Sequence, residues 1–168
     1  MKTIFLLRHA KSSWDDATLS DFERPLNERG LNTAPYMGEV IAQRGYVPAI
    51  IISSPAKRAA KTAVLVKESA AINADIRYDD RIYEASPNTL RRVISEIQDS
   101  FDSALIVGHN PGMEGFIRYL TGRTEPMPTA ALAALKLKIN SWGQTNADCG
   151  KIIEIIRPKD EMRSLGTS

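Results

Sequence analysis

The chain carries two histidines, His9 and His109. Each directly follows a short apolar run of the kind that forms a buried strand, residues 3–7 and 103–107. His9 has Arg8 beside it, and His109 lies in Gly108-His109-Asn110-Pro111-Gly112. Two further strand candidates also end in polar groups. Residues 49–52 run into Ser53-Ser54, with Arg58 about one turn further on, and residues 76–78 are followed by Glu84. In a parallel sheet the carboxyl ends of the strands share one edge, and ligands bind there. Two arginines, two histidines and one carboxylate would then meet in one pocket.

That set of groups suits phosphoryl transfer. A phosphoryl group in flight needs positive charge and hydrogen-bond donors around its equatorial oxygens. Arg8 and Arg58 offer planar forks for those oxygens. A neutral imidazole is a competent nucleophile near pH 7, and a carboxylic acid can protonate the leaving atom. The arginines already supply charge, so no metal is required. The histidine and carboxylate spacings also match no zinc motif.

The elements that must position these groups alternate between strand and helix. After residues 3–7 comes a long polar stretch, residues 8–25, of the length that structured functional loops have. Asn27 offers a helix cap. Leu31, Ala34, Met37, Val40 and Ile41 follow at helical spacing, and Gly45 ends the run. Pro35 falls inside that pattern and predicts a late start or a kink. Residues 56–69 read as a helix with Pro55 in its first turn. Ser86-Pro87 reads as a cap and helix start before Leu90, Val93, Ile94 and Ile97. A short helix is expected over 113–120 and β-segments over 131–139 and 151–156, while the polar tail 158–168 is expected to fray. The pattern predicts one α/β domain over 1–157, with helices on both faces of a mostly parallel sheet.

Composition agrees with such a domain. The 168 residues are 43% hydrophobic and 25% charged, which suits one globular core and excludes a disordered tail or a coiled-coil rod. No apolar run approaches the roughly 20 residues of a membrane helix, and the first apolar run is too short for a secretory leader. Basic and acidic residues, 22 and 20, are interspersed, unlike the basic face of a nucleic-acid binder. The single cysteine, Cys149, can form no internal disulfide and reads as an inert packing or turn residue. A cytoplasmic location is the simplest expectation.

Four segments resemble the motifs of the histidine phosphatase superfamily, in the expected order. Leu7-Arg8-His9-Ala10-Lys11-Ser12 resembles its Arg-His-Gly signature, and residues 53–63 resemble its second arginine motif. Tyr83-Glu84-Ala85 resembles its acid segment, and residues 107–112 its second histidine motif. Together with Arg24-Pro25-Leu26 and Pro128-Thr129-Ala130, they are most similar to the short SixA-like phosphohistidine phosphatase branch. The resemblance implies a phosphoglycerate mutase-like, three-layer α/β/α fold and no cofactor. It makes His9 the nucleophile and gives Arg8, Arg58 and His109 the phosphoryl group. It makes Glu84 the proton donor and Ser12 a phosphate contact. Ala10 stands where the signature has glycine, Asp15 where many members have a phosphate-binding asparagine, and Asn27 where a threonine cap is usual.

Taken singly, each residue has a plainer use: a satisfied strand-end histidine, a solvated helix arginine, a turn histidine, a helix-capping glutamate. Four motifs in register favour the shared site. Lys11, Lys57 and Lys61 read as solvated charges that make its mouth positive. Trp14 and Phe22 either line the entrance or anchor the long loop. The expected activity is that of a metal-independent phosphatase working through a phosphohistidine on His9. The short chain leaves little room for a covering insert, and this favours a phosphorylated protein, such as a phosphotransfer domain, as partner. A small phosphate ester is the alternative substrate, and a non-catalytic phosphoprotein-binding module the alternative function. Nucleic acid and membrane are not expected partners, and no oligomeric state is assigned. For His9 we expect Nδ1 to donate to a backbone carbonyl, which leaves Nε2 free to attack.

Overall fold

A computed structural model describes residues 1–166. Six strands form one sheet: β1 Lys2–Arg8, β2 Ile50–Ser53, β3 Ile76–Tyr78, β4 Ser103–Gly108, β5 Leu132–Leu137 and β6 Gly150–Ile156. Their spatial order is β3-β2-β4-β1-β5-β6. The first four strands in that order are parallel, β5 pairs antiparallel to β1, and β6 pairs antiparallel to β5 and so runs with the first four. Helices α1 Glu28–Gln43, α2 Lys57–Ala70, α3 Pro87–Ser95 and α4 Gly112–Thr121 cover its faces. This is the expected three-layer α/β/α fold.

The central strands are apolar without interruption because both of their faces are covered. Ile4 and Leu6 of β1 point into a core shared with Leu90, Val93 and Ile94 of α3 and Phe116 and Ile117 of α4. Phe5 and Leu7 point the other way, into a core shared with Met37 and Ile41 of α1 and Ala59, Ala63 and Val66 of α2. A period of two along the strand therefore feeds two separate layers.

Helix starts follow local chemistry. The Asn27 side chain accepts from the Gly30 amide at 2.8 Å, and the Ser86 hydroxyl accepts from the Thr89 amide at 3.2 Å, with Pro87 in the first turn of α3. Three expectations are corrected. Pro35 neither delays nor ends α1, which runs unbroken from Glu28 to Gln43. Ser69 of α2 packs against this part of the helix, its hydroxyl donating to the Pro35 carbonyl. Pro55 lies outside α2, since Ala56 holds the cap position. The segment expected to fray instead forms a helix, α5 Pro158–Gly166. There Arg44 pairs with both Glu154 and Glu161, which ties this helix to β6 and to the end of α1. Residues 167–168 lie outside the described residues.

The long segment after β1 is folded back on itself. Ser12 and Leu26 form an isolated antiparallel bridge, the Ser13 amide donates to the Pro25 carbonyl at 2.8 Å, and the Asn27 amide donates to the Lys11 carbonyl at 3.0 Å. That carbonyl packs against the first turn of α1, where a β-carbon on Gly30 would stand 2.2 Å from it. Only glycine permits the approach. Gly30→Ala should therefore lower stability by about 1–3 kcal/mol, the range for overpacking a tight contact. Thermal unfolding of the variant checks this, and an unchanged melting temperature would refute it.

Candidate active site

Register at the carboxyl edge of the sheet assembles the site. Arg8 pairs opposite Gly108, and Ser53 opposite Val107, so His9, His109 and Ser54 are each the next residue out of three adjacent strands. The His9 amide donates to the Gly108 carbonyl at 3.0 Å, and the Ser54 amide to the Val107 carbonyl at 2.9 Å. The two imidazoles end 5.1 Å apart, centroid to centroid. Arg58 comes from the first turn of α2. A cleft of about 560 Å³ is lined by Arg58, Glu84 and His109, with Asp21 and Tyr83 at its rim. Three adjacent strand ends thus meet at one edge, with Arg58, Glu84 and His109 on the cleft wall, while Arg8 and the buried His9 are not among the residues that line it.

His9 is buried, and its Nδ1 lies 2.7 Å from the Ala10 carbonyl. A carbonyl can only accept, so Nδ1 carries the hydrogen and Nε2 keeps its lone pair. The next amide, that of Ala10, donates to the Thr62 hydroxyl at 3.0 Å, which fixes the turn against α2.

His109 shows the opposite arrangement. Its Nε2 lies 2.8 Å from the Ser54 hydroxyl. That hydroxyl also accepts from the Ala56 amide at 3.2 Å. Nδ1 of His109 is buried with no partner. Among the described residues one other buried side-chain atom shares that condition, Nε of Arg8. Nη1 of Arg8 donates to the Met127 carbonyl at 3.1 Å. Two buried nitrogens therefore stand without partners near His9, a state natural interiors rarely leave unexplained.

Counter-charges lie behind the arginines. Asp21 accepts from Nη2 of Arg58 at 3.0 Å, from the Tyr83 hydroxyl at 2.6 Å and from Nη1 of Arg24 at 3.0 Å, while its carbonyl accepts from Nη1 of Arg58 at 2.6 Å. The Tyr83 hydrogen bond, then the two arginines, hold the Asp21 carboxyl down at about 2. Glu114 accepts from the Met127 amide at 2.8 Å and from Asn110 at 3.0 Å. This braces the segment against which Arg8 rests. Asp21, Arg24, Tyr83, Ser54 and Glu114 were given no such roles by the sequence. Their only signal is spacing, as in the three-residue interval from Asp21 to Arg24.

Other expected positions divide. Glu84 is exposed on the cleft wall, with its backbone at φ 56°, a left-handed conformation uncommon for glutamate. It does not cap α3, since Ser86 does. Ser12 is buried, and its hydroxyl accepts from Nη2 of Arg24 at 2.5 Å rather than lining the cleft. Asp15 is exposed and does not join the site. The Arg24 guanidinium stacks on Trp14, 3.2 Å from the ring centroid, so that aromatic anchors the loop while remaining 72% exposed. Phe22 packs edge-on to Tyr83, which in turn packs edge-on to His109.

A parallel sheet with two imidazoles and two guanidiniums at its carboxyl edge defines a phosphoryl-transfer site. The model of the histidine phosphatase superfamily (branch 1) matches residues 4–106, and the chain belongs to that superfamily. It is a phosphatase of the hydrolase class. The chain is 30% identical to a protein assigned as the phosphohistidine phosphatase SixA of Agrobacterium tumefaciens, covering 94% of this chain and 98% of that one with a TM-score of 0.81. A tungstate complex of the protein histidine phosphatase SixA shares the fold at TM-score 0.78 and 21% identity, over 95% and 99% of the two chains. A mycobacterial glucosyl-3-phosphoglycerate phosphatase does so at TM-score 0.70 and 15% identity, over 90% and 97%. The family match stops before His109, which the register of β4 places in the site regardless. No helix among the described residues is long and apolar enough to cross a membrane.

Both histidines are held neutral. Burial first, then the charges of Arg58, Arg8 and Arg24, push His9 down to about 4 against the hydrogen bond to Ala10. Burial, His9 and Arg58 push His109 down to about 3. Lowered values mean that the unfolded chain takes up protons between about pH 6.5 and 4 that the folded chain does not, so stability falls as pH falls through that window. His9 itself stays largely unprotonated over the upper part of that window. Imidazole nitrogen shifts followed by NMR should show His9 titrating near pH 4, and a midpoint between 6 and 7 would contradict this environment.

Proposed function

We propose that the protein is a metal-independent phosphatase working through a phosphohistidine on His9, with phosphohistidine on another protein as its substrate. The observation that supports this most is the pair of buried, unpartnered nitrogens, Nε of Arg8 and Nδ1 of His109, flanking a neutral His9, both of them donors when His109 carries its hydrogen on Nδ1. An anion with several oxygens satisfies both at once. Arg58 adds charge and donors from α2, and its orientation is set from behind by Asp21.

The reaction follows from this arrangement. Nε2 of His9 attacks phosphorus in line, and the bond from phosphorus to the leaving nitrogen or oxygen breaks. Glu84 is the proton donor to the leaving atom. Negative charge on the transferring group is met by Arg8, Arg58 and His109. Water then attacks the phosphohistidine, and Glu84 as carboxylate takes its proton. Inorganic phosphate leaves and His9 is restored. Ser12, held by Arg24, supports the loop instead of touching phosphate.

A protein substrate is favoured by the walls of the cleft. Its rim residues Asp21 and Glu84 are exposed, so a phosphate carried on the surface of another protein can reach the cleft. The 30% identity to the SixA-assigned protein supports the same substrate class.

Hydrolysis of p-nitrophenyl phosphate in the presence of a chelator is the test. Wild type should retain its rate and form an acid-labile phosphoenzyme. His9→Ala should form none and lose turnover, and Arg58→Ala should lose about 10²–10³ in turnover, as for loss of one charge-stabilising donor. Loss of activity with chelator, or a phosphoenzyme surviving His9→Ala, would overturn the mechanism. Small phosphate esters turned over far better than phosphohistidine proteins would overturn the substrate.

A further inference from the structure

Beside the active-site cleft lies a second depression of about 380 Å³ that the chemistry does not use. Its apolar surface comes from Phe22, Pro55, Ala60, Val64 and Tyr78. Lys57, Ala60, Lys61 and Val64 recur at helical spacing, so one solvent-facing stripe of α2 forms the floor. The opposite face of the same helix carries Arg58, Thr62, Ala59 and Ala63 into the site and the core. Phe22 is 39% exposed and Tyr78 50%, an unusual exposure for adjacent aromatic side chains.

Two properties say what would cover this groove. Lys57 and Lys61 flank it, and neither has an ion-pair partner among the described residues, whereas Glu23 is the one acid in the lining. The surface therefore asks for apolar side chains with acidic neighbours. The groove also adjoins the active-site cleft, Phe22 lining the one and Tyr83 the other. Phe22 packs edge-on to Tyr83, and Tyr83 donates to the same Asp21 carboxylate that holds Arg58. Whatever sits on Phe22 lies next to a phosphoryl group on its way to His9.

We propose that this groove docks the protein that carries the phosphohistidine, through a segment presenting an apolar side chain flanked by acidic ones. The proposal rests on the phosphatase reading above and specifies how the substrate protein is recognised. The groove supplies affinity and orientation, and the cleft does the chemistry.

The test uses two synthetic phosphohistidine peptides and p-nitrophenyl phosphate. One peptide carries a Leu flanked by two Glu near the phosphohistidine, and the other has Ser and Lys at those positions. Wild type should show a KM roughly five- to ten-fold lower for the first peptide, the effect of a few rim charges and one apolar anchor. Lys61→Glu and Val64→Ser should each remove that preference while p-nitrophenyl phosphate turnover stays at the wild-type rate. Lys61→Glu should also favour the Lys peptide, a charge swap that mere loss of folding would not produce. Equal KM for both peptides in wild type, no cleavage of either peptide beside normal aryl phosphate cleavage, or a preference that survives both substitutions would overturn the docking site. Failure of wild type on every phosphate would instead overturn the phosphatase reading on which it rests.

Discussion

Parallel pairing of β1 with β4 sets where everything else must go. With Arg8 opposite Gly108, both strands leave the sheet at the same level, and each is followed by a histidine. A shift of one residue in that register would turn Ile4, Leu6 and the rest of the strand to the wrong core and would carry the imidazoles apart. The register is held by burial on both faces, so the same apolar side chains that stabilise the domain also fix the spacing of its reactive groups.

The second constraint is electrostatic. Four basic side chains are gathered at one edge, yet two of them carry no charge near neutral pH, because burial and the arginines together disfavour protonation of His9 and His109. The arginines keep theirs, each balanced by a carboxylate set behind it, Asp21 for Arg58 and Glu114 near Arg8. The Asp21 carboxylate at the rim of the cleft orients the Arg58 guanidinium, and Glu114 braces the segment that Arg8 rests against. Attraction for an anion and nucleophilicity of an imidazole coexist because they sit on different residues of one contact set.

Much of this was legible in the sequence. Arg8, His9, Arg58 and His109 could be found because each ends a strand or opens a helix next to an apolar run, and the topology of an α/β sheet does the rest. The Nδ1 contact of His9 was also foreseen, since the turn after a strand offers a backbone carbonyl. The supports were not legible. Asp21, Tyr83 and Glu114 act through contacts between segments 37 or more residues away from their partners or through irregular loops, and no periodicity encodes such pairs. Pro35 misled because a local rule about lost amides was overridden by packing of α1 on α2. The C-terminal helix was missed because its polar composition hides two ion pairs to Arg44, one through β6 and one through α5 itself. Ser12 was placed in the right loop, but its hydroxyl is engaged by a residue twelve positions on.

That residue, Arg24, carries a disproportionate share of the loop's order. Its guanidinium reaches the Ser13 carbonyl, the Ser12 hydroxyl and the Asp21 carboxylate while lying flat on Trp14. The loop's two limbs are joined by a few main-chain bonds around one isolated bridge, and Arg24 is the side chain that gathers them. Losing that side chain would loosen the segment that carries Asp21 without removing a residue from either core. Loss of activity and loss of fold are therefore different events in this molecule, and the first can precede the second.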